Sequence, residues 1–149
     1  MRVLITGGGG MLGRNLHEIL SEMGFHVDAP RRAELDCLSL SKIKKYLEEY
    51  PADIVINCAG KVGSITDNMQ YPDEYFYDNA QIGINVLRAS HEVGIEKVLN
   101  IGTINSLPIF GNDETVSEDD LLSGSLTQEI EPYGIAKAVV ARYAKYISF

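Results

Sequence analysis

No stretch of this 149-residue sequence stays apolar long enough to cross a bilayer, which leaves out a helical membrane span. Cysteine is scarce: Cys37 and Cys58 are the only two, and they lack the paired spacing of a metal site. Two such thiols, in a chain that opens straight into a strand-like run where a signal peptide would stand, fit a cytoplasmic setting in which both stay reduced. Positive charge is thin as well. The net charge is −8, and no Lys or Arg lies between Lys97 and Lys137. That balance argues against nucleic acid and anionic membrane as partners. Asp113, Glu114, Glu118, Asp119, Asp120, Glu129 and Glu131 all fall in the same interval and nearly account for the net charge. The interval is expected to be an acidic surface loop. Internal repeats and low-complexity linkers are missing too, so residues 1–149 are expected to form one domain with its own core.

Glycine, in contrast, is concentrated where it matters. Arg2 to Thr6 is a short apolar run suited to a buried strand. Gly7, Gly8, Gly9 and Gly10 follow, and then Met11, Leu12, Leu16, Ile19, Leu20 and Met23 recur at helical spacing. A strand that enters a glycine turn and leaves as a helix is the setting in which Gly7-x-x-Gly10-x-x-Gly13 has a mechanism. Gly7 permits the tight turn, Gly10 leaves room for a pyrophosphate against the backbone, and Gly13 lets helix and strand pack closely. The helix N-terminus then offers N–H groups and a partial positive charge to the phosphates. The stretch Gly7–Gly13, with Met11 and Leu12, is therefore expected to bind a dinucleotide.

The rest of the chain alternates in the same way. Gly24 ends the first helix and Phe25–Ala29 is the next expected strand. Ser39 or Ser41 can cap a helix carrying Ile43, Tyr46, Leu47 and Tyr50, which Pro51 stops. Asp53–Cys58 reads as a strand buried on both faces, and Ala59-Gly60 leaves room for a ligand at its carboxyl end. Pro72, Asp73 and Glu74 open a long helix that runs to about Val93. Lys97–Ile101 is the next strand, a long loop covers Gly102 to about Glu131, and Pro132 starts the last helix. Strands alternating with helices predict an α/β doubly wound parallel sheet, with Arg2–Thr6 in its middle, Lys97–Ile101 near one edge, and the ligand across the carboxyl ends.

The end of the second strand bears on cofactor choice. Asp28 suits the adenine ribose hydroxyls of NAD(H), whereas Arg31 and Arg32 suit the 2′-phosphate of NADP(H), which a guanidinium can hold bidentately. Two arginines outweigh one acid here, so NADP(H) is expected, with NAD(H) as the alternative. Further on, Tyr133 and Lys137 stand four apart on one helical face. A phenol ordinarily ionises too high to exchange protons near neutrality, and a neighbouring ammonium is expected to favour its phenolate. Tyr133 would then serve as acid and base on a carbonyl or alcohol oxygen during hydride transfer. Thr103, just past the strand Lys97–Ile101, is placed to offer a hydroxyl to the same oxygen.

Thr6-Gly-Gly-x-Gly-x-x-Gly13 and Tyr133-x-x-x-Lys137 together resemble the two signatures of the extended short-chain dehydrogenase/reductases that act on nucleotide sugars. Ala59-Gly-Lys61-Val62-Gly63-Ser-Ile65, Leu121-Leu-Ser-Gly124-Ser-Leu126 and Glu131-Pro132-Tyr133 are similar to the branch that works on GDP-4-keto-6-deoxy sugars by epimerisation and reduction. The resemblance implies a Rossmann-like fold, an NADP(H) 2′-phosphate at Arg32, a nucleotide-sugar substrate, and a homodimer formed through the long helix and the Tyr133 helix. It also implies that Thr103 stands where the family has a catalytic serine. Asn105 stands where the family has the cysteine implicated in epimerisation, and an amide cannot do that proton chemistry. The family's chains are much longer, so the last strands, a catalytic histidine and the C-terminal substrate domain are absent from this sequence. The expectation is thus a fragment, or a short chain that completes itself by association. The alternatives are an NAD-dependent 4-epimerase or 4,6-dehydratase, and a non-catalytic nucleotide-binding module.

Overall fold

The apolar runs pair side by side into one parallel sheet in the order β2-β1-β3-β4. In the computed structural model, which describes residues 1–110 and 115–147, the strands are β1 (Arg2–Thr6), β2 (His26–Asp28), β3 (Ile54–Asn57) and β4 (Lys97–Asn100). β1 is central and β4 lies at an edge, as the alternation predicts. Asp113 and Glu114 of the expected acidic loop lie outside the described residues. The strands are shorter than predicted, because Phe25, Ala29, Asp53, Cys58 and Ile101 serve as entry and exit residues beyond the ladder.

Alternation along β1 builds two cores. Val3 and Ile5 face α1 (Met11–Glu22) and pack with Leu16, Leu20 and Val27. Leu4 faces the other side with Val55. There it meets Ile43 and Leu47 of α2 (Leu40–Glu49) and Val86 and Ala89 of the long helix Pro72–Glu92. Burying each large aliphatic side chain contributes about 1.5–3 kcal/mol, so these strand centres hold the layers together. Of the apolar residues expected along α1, only Leu16 and Leu20 reach the sheet. Met11, Ile19 and Met23 are exposed, because a stripe four residues apart suffices to cover so narrow a sheet.

One helix was not expected. Ile65–Gln70 forms α3, started by a capping box in which Ser64 and Asp67 each accept from the other's backbone N–H. The long helix Pro72–Glu92 is accordingly α4, and Glu131–Tyr146 is α5, packed along α4. Among its described residues, the long loop between β4 and α5 contains three single turns of 3-10 helix, at Ile104–Ser106, Glu118–Asp120 and Gln128–Ile130. Among the described residues, no helix is long and apolar enough to cross a membrane.

Candidate active site

A cleft of about 860 Å³ runs across the carboxyl ends of the strands, within the usual size of small-ligand sites of roughly 300–1,000 Å³. At one end it is backbone. Gly7, Gly10, Met11, Leu12 and Gly13 line it, with Ala59 and Gly60 opposite. Gly7 turns the chain at φ +70°, where a side chain would be strained and its Cβ would lie 2.8 Å from Ala59. A Cβ on Gly13 would strike the Gly7 carbonyl oxygen. Gly10 is the N-cap of α1 and has no side chain to cap with, and the first turn holds no acidic residue. Among the described residues, no side chain caps or adds an acid to the positive end of that helix, which suits a pyrophosphate.

Gly8 and Gly9 do not line the cleft. Gly8 is buried, its N–H donates to the Pro30 carbonyl at 3.2 Å, and a Cβ there would collide with the Ala29 carbonyl oxygen. It packs the loop against the end of β2. Gly9 is exposed beneath the Arg31 side chain. The two arginines also part company: Arg32 lines the cleft and has no hydrogen bond or ion pair among the described residues, while Arg31 lies off it. Asp28 does not face the cleft either. Its carboxylate accepts a hydrogen bond from the Tyr46 hydroxyl at 2.7 Å.

At the other end the cleft is made of side chains. Tyr133 and Lys137 on α5 line it together with Cys58, Ile101 and Gly102. The Thr103 hydroxyl acts on the Tyr133 phenol, lowering its pKa, and Thr103 joins Gly102 and Lys137 in a neighbouring cavity of about 360 Å³. Lys137 is buried, and burial lowers its pKa from the ordinary lysine value, with the nearby Cys58 thiol opposing. The phenol departs from expectation. Burial pushes its pKa up, against the Thr103 hydroxyl, so the loss of hydration outweighs any pull from the lysine. Tyr133 is thus held as a proton donor. Burial likewise keeps Cys58 a neutral thiol, with Lys137 opposing.

Beneath the cleft runs a polar rung that periodicity could not reveal. Thr6, Asn57 and Asn100, the last residues of three neighbouring strands, stand in register. The Thr6 hydroxyl donates to Asn57 Oδ1 at 2.6 Å, and Asn57 Nδ2 donates to Asn100 Oδ1 at 2.7 Å. Thr6 and Asn57 are fully buried, so each bond replaces lost hydration and fixes the spacing of the strand ends. The loop after β3 is pinned similarly: Asn79 accepts from the Lys61 N–H and donates to the Lys61 carbonyl, both at 3.0 Å. Lys61 itself pairs with Glu74 and Asp78 at the cleft wall.

The chain matches a family model described as the NAD dependent epimerase/dehydratase family over residues 3–148. It is 34% identical over 148 residues to the GDP-L-colitose synthase of Yersinia pseudotuberculosis, an alignment covering 99% of this chain and 48% of that protein. To the GDP-L-fucose synthase of Escherichia coli it is 32% identical over 137 residues, 91% of this chain and 42% of that one. The structure of MlghC, a GDP-mannoheptose C4 reductase from Campylobacter jejuni with NADP bound, superposes with a TM-score of 0.87 at 25% identity, covering 95% of this chain and 45% of that one. The chain thus spans less than half the length of these relatives.

Proposed function

Because the chain belongs to the NAD-dependent epimerase/dehydratase family, we propose that it is the NADP(H)-binding portion of a nucleotide-sugar reductase, acting at C4 of a GDP-4-keto-6-deoxy sugar. The observation that carries this reading is a single cleft with a bare, positively polarised helix start at one end and Tyr133 and Lys137 at the other, Thr103 lining the cavity beside it. The relatives' names, which include GDP-L-colitose and GDP-L-fucose synthases, support the substrate class.

The residues fit the cofactor. Gly7, Gly10 and Gly13, with the N–H groups of Met11 and Leu12, would hold the pyrophosphate, Ala59 and Gly60 would border it, and Arg32 would hold the 2′-phosphate. When bound, NADPH supplies the hydride. Tyr133, kept protonated by burial, hydrogen-bonds the C4 carbonyl oxygen and gives it a proton as negative charge builds there. Thr103 donates to the same oxygen. Lys137 places a positive charge under the cleft, which stabilises the phenolate left after proton transfer. Asn105 carries an amide that cannot exchange protons, which favours reduction without epimerisation. The exposed aromatics Phe76 and Tyr77 of α4 support a homodimer in which α4 and α5 take part.

The test is NADPH consumption with GDP-4-keto-6-deoxymannose by the protein that carries this chain. Consumption that Tyr133→Phe abolishes supports the reading. Equal turnover by that variant would discard the acid role, and no turnover with any GDP- or dTDP-keto sugar would discard the substrate class.

A further inference from the structure

The connection between β2 and α2 carries Arg32 and then Leu35, Asp36, Cys37 and Leu38, all of which line the cleft. It is neither strand nor helix, and turns hold its two ends. The Leu35 N–H donates to the Arg31 carbonyl at 2.9 Å, and the Ser39 N–H donates to the Asp36 carbonyl at 3.1 Å. Leu35 and Cys37 sink into the core beside Val86 and Ala89. Packed side chains do nothing for the Cys37 carbonyl, which belongs to a residue only 6% exposed and needs a donor.

Asn85 of α4 supplies it. Its Nδ2 donates to the Cys37 carbonyl at 3.1 Å, across 48 residues of sequence. Asn85 is itself buried and does not line the cleft, whereas Ile82, one turn earlier on the same helical face, does. The amide is also oriented. Gln81, four residues earlier, donates from Nε2 to Asn85 Oδ1 at 2.7 Å, which leaves Nδ2 to face the Cys37 carbonyl. Asn85→Leu would keep the space filled yet leave that carbonyl without a donor, a state that buried backbone escapes by moving.

We propose that Asn85 is a positioning residue for the cofactor: through the Cys37 carbonyl it sets the cleft wall of residues 35–38, against which the adenosine half of NADP(H) lies. Arg32 leads into that wall, so the wall stands at the end of the cleft that would take the 2′-phosphate. The inference rests on the dinucleotide reading above and adds a residue that touches no cofactor atom.

The experiment measures NADPH binding by nucleotide fluorescence, and binding of adenosine 2′,5′-bisphosphate by its displacement of NADPH. Circular dichroism checks the fold of each variant. Asn85→Leu is expected to weaken both ligands about tenfold and equally, because only the adenosine half, common to both, loses its wall. A merely structural loss would disturb the glycine loop and the Tyr133 end as well, and would weaken NADPH more than the half-cofactor. Gln81→Leu is expected to weaken both ligands by about threefold, since Asn85 keeps its bond but loses the group that orients its amide. That arm decides the matter if Asn85→Leu does not fold, and unchanged binding there overturns the proposal. In folded Asn85→Leu, half-cofactor binding within about twofold of the original overturns it, as does a loss of NADPH affinity well beyond the loss for the half-cofactor. Failure of the unaltered chain to bind either ligand overturns the dinucleotide reading instead, so the two failures are told apart.

Discussion

The two ends of the cleft are built on opposite terms. The glycine end is backbone from one continuous stretch, Gly7 to Gly13, shaped by what its glycines lack. The other end is side chains from separate elements: Tyr133 and Lys137 on α5 and Cys58 after β3, with Thr103 after β4 beside them. The first needs only correct local geometry. The second needs the sheet to bring distant segments into register, which the rung Thr6–Asn57–Asn100 does from below. A substitution at the backbone end should therefore act on binding and folding together, and one at the side-chain end on chemistry, with folding affected only where a charge is buried, as at Lys137.

The largest separation should come from Tyr133→Phe. Loss of a positioned proton donor should lower turnover by roughly 10²–10⁴-fold, while the NADPH dissociation constant stays within about twofold. Steady-state rates beside a binding titration check both halves, and parallel loss of binding would blur the distinction between the ends. Next comes Gly8→Ala at the backbone end. Its Cβ would press on the Ala29 carbonyl, so the midpoint of urea unfolding should fall by the equivalent of about 2–3 kcal/mol even without cofactor. Unchanged unfolding would return Gly8 to the list of mere ligand contacts.

A somewhat smaller effect is expected from Arg32→Ala. Losing a charge-assisted pair of about 1.5–3 kcal/mol should weaken NADPH roughly 10–100-fold and leave NADH alone. Arg31→Ala, off the cleft, should do much less, and equal effects from the two arginines would contradict their separation in the structure. The smallest effect concerns Lys137. Its folded pKa is lowered by burial, so between that value and the ordinary lysine pKa the unfolded chain binds the extra proton. Stability should rise with pH through that window, and the cost of burying the charge is fully present below it. Lys137→Met should remove this slope and raise the melting temperature near neutrality, as scanning calorimetry across pH would show.

What sequence could reveal divides along the same line. The strand, the glycine turn and the helix that follows are neighbours in the chain, so composition and period betray them. Tyr133 and Lys137 are legible for the same reason, four apart on one helix. Tyr46 with Asp28, Asn57 with Asn100, and Thr6 with Asn57 lie 18, 43 and 51 residues apart, and only the packing of α2 on the sheet and the strand order pair them. Asp28 consequently reads as a ribose ligand until its side chain is seen to face Tyr46 of α2. Helix α3 is different, since its signal, Ser64 with Asp67 three residues on, was present in the sequence. The pKa of Tyr133 depends on hydration lost in the folded cleft, a quantity that no spacing rule contains.

The central claim is that this cleft takes NADP(H) through a bare glycine loop and Arg32. Titrating NADPH into the chain, unaltered and as Arg32→Ala, tests it most directly. Saturable one-to-one binding is expected, weakened at least tenfold by the substitution while NADH binding is unchanged. No saturable binding of either nucleotide, or an Arg32→Ala chain that binds NADPH as tightly as the original, would contradict it.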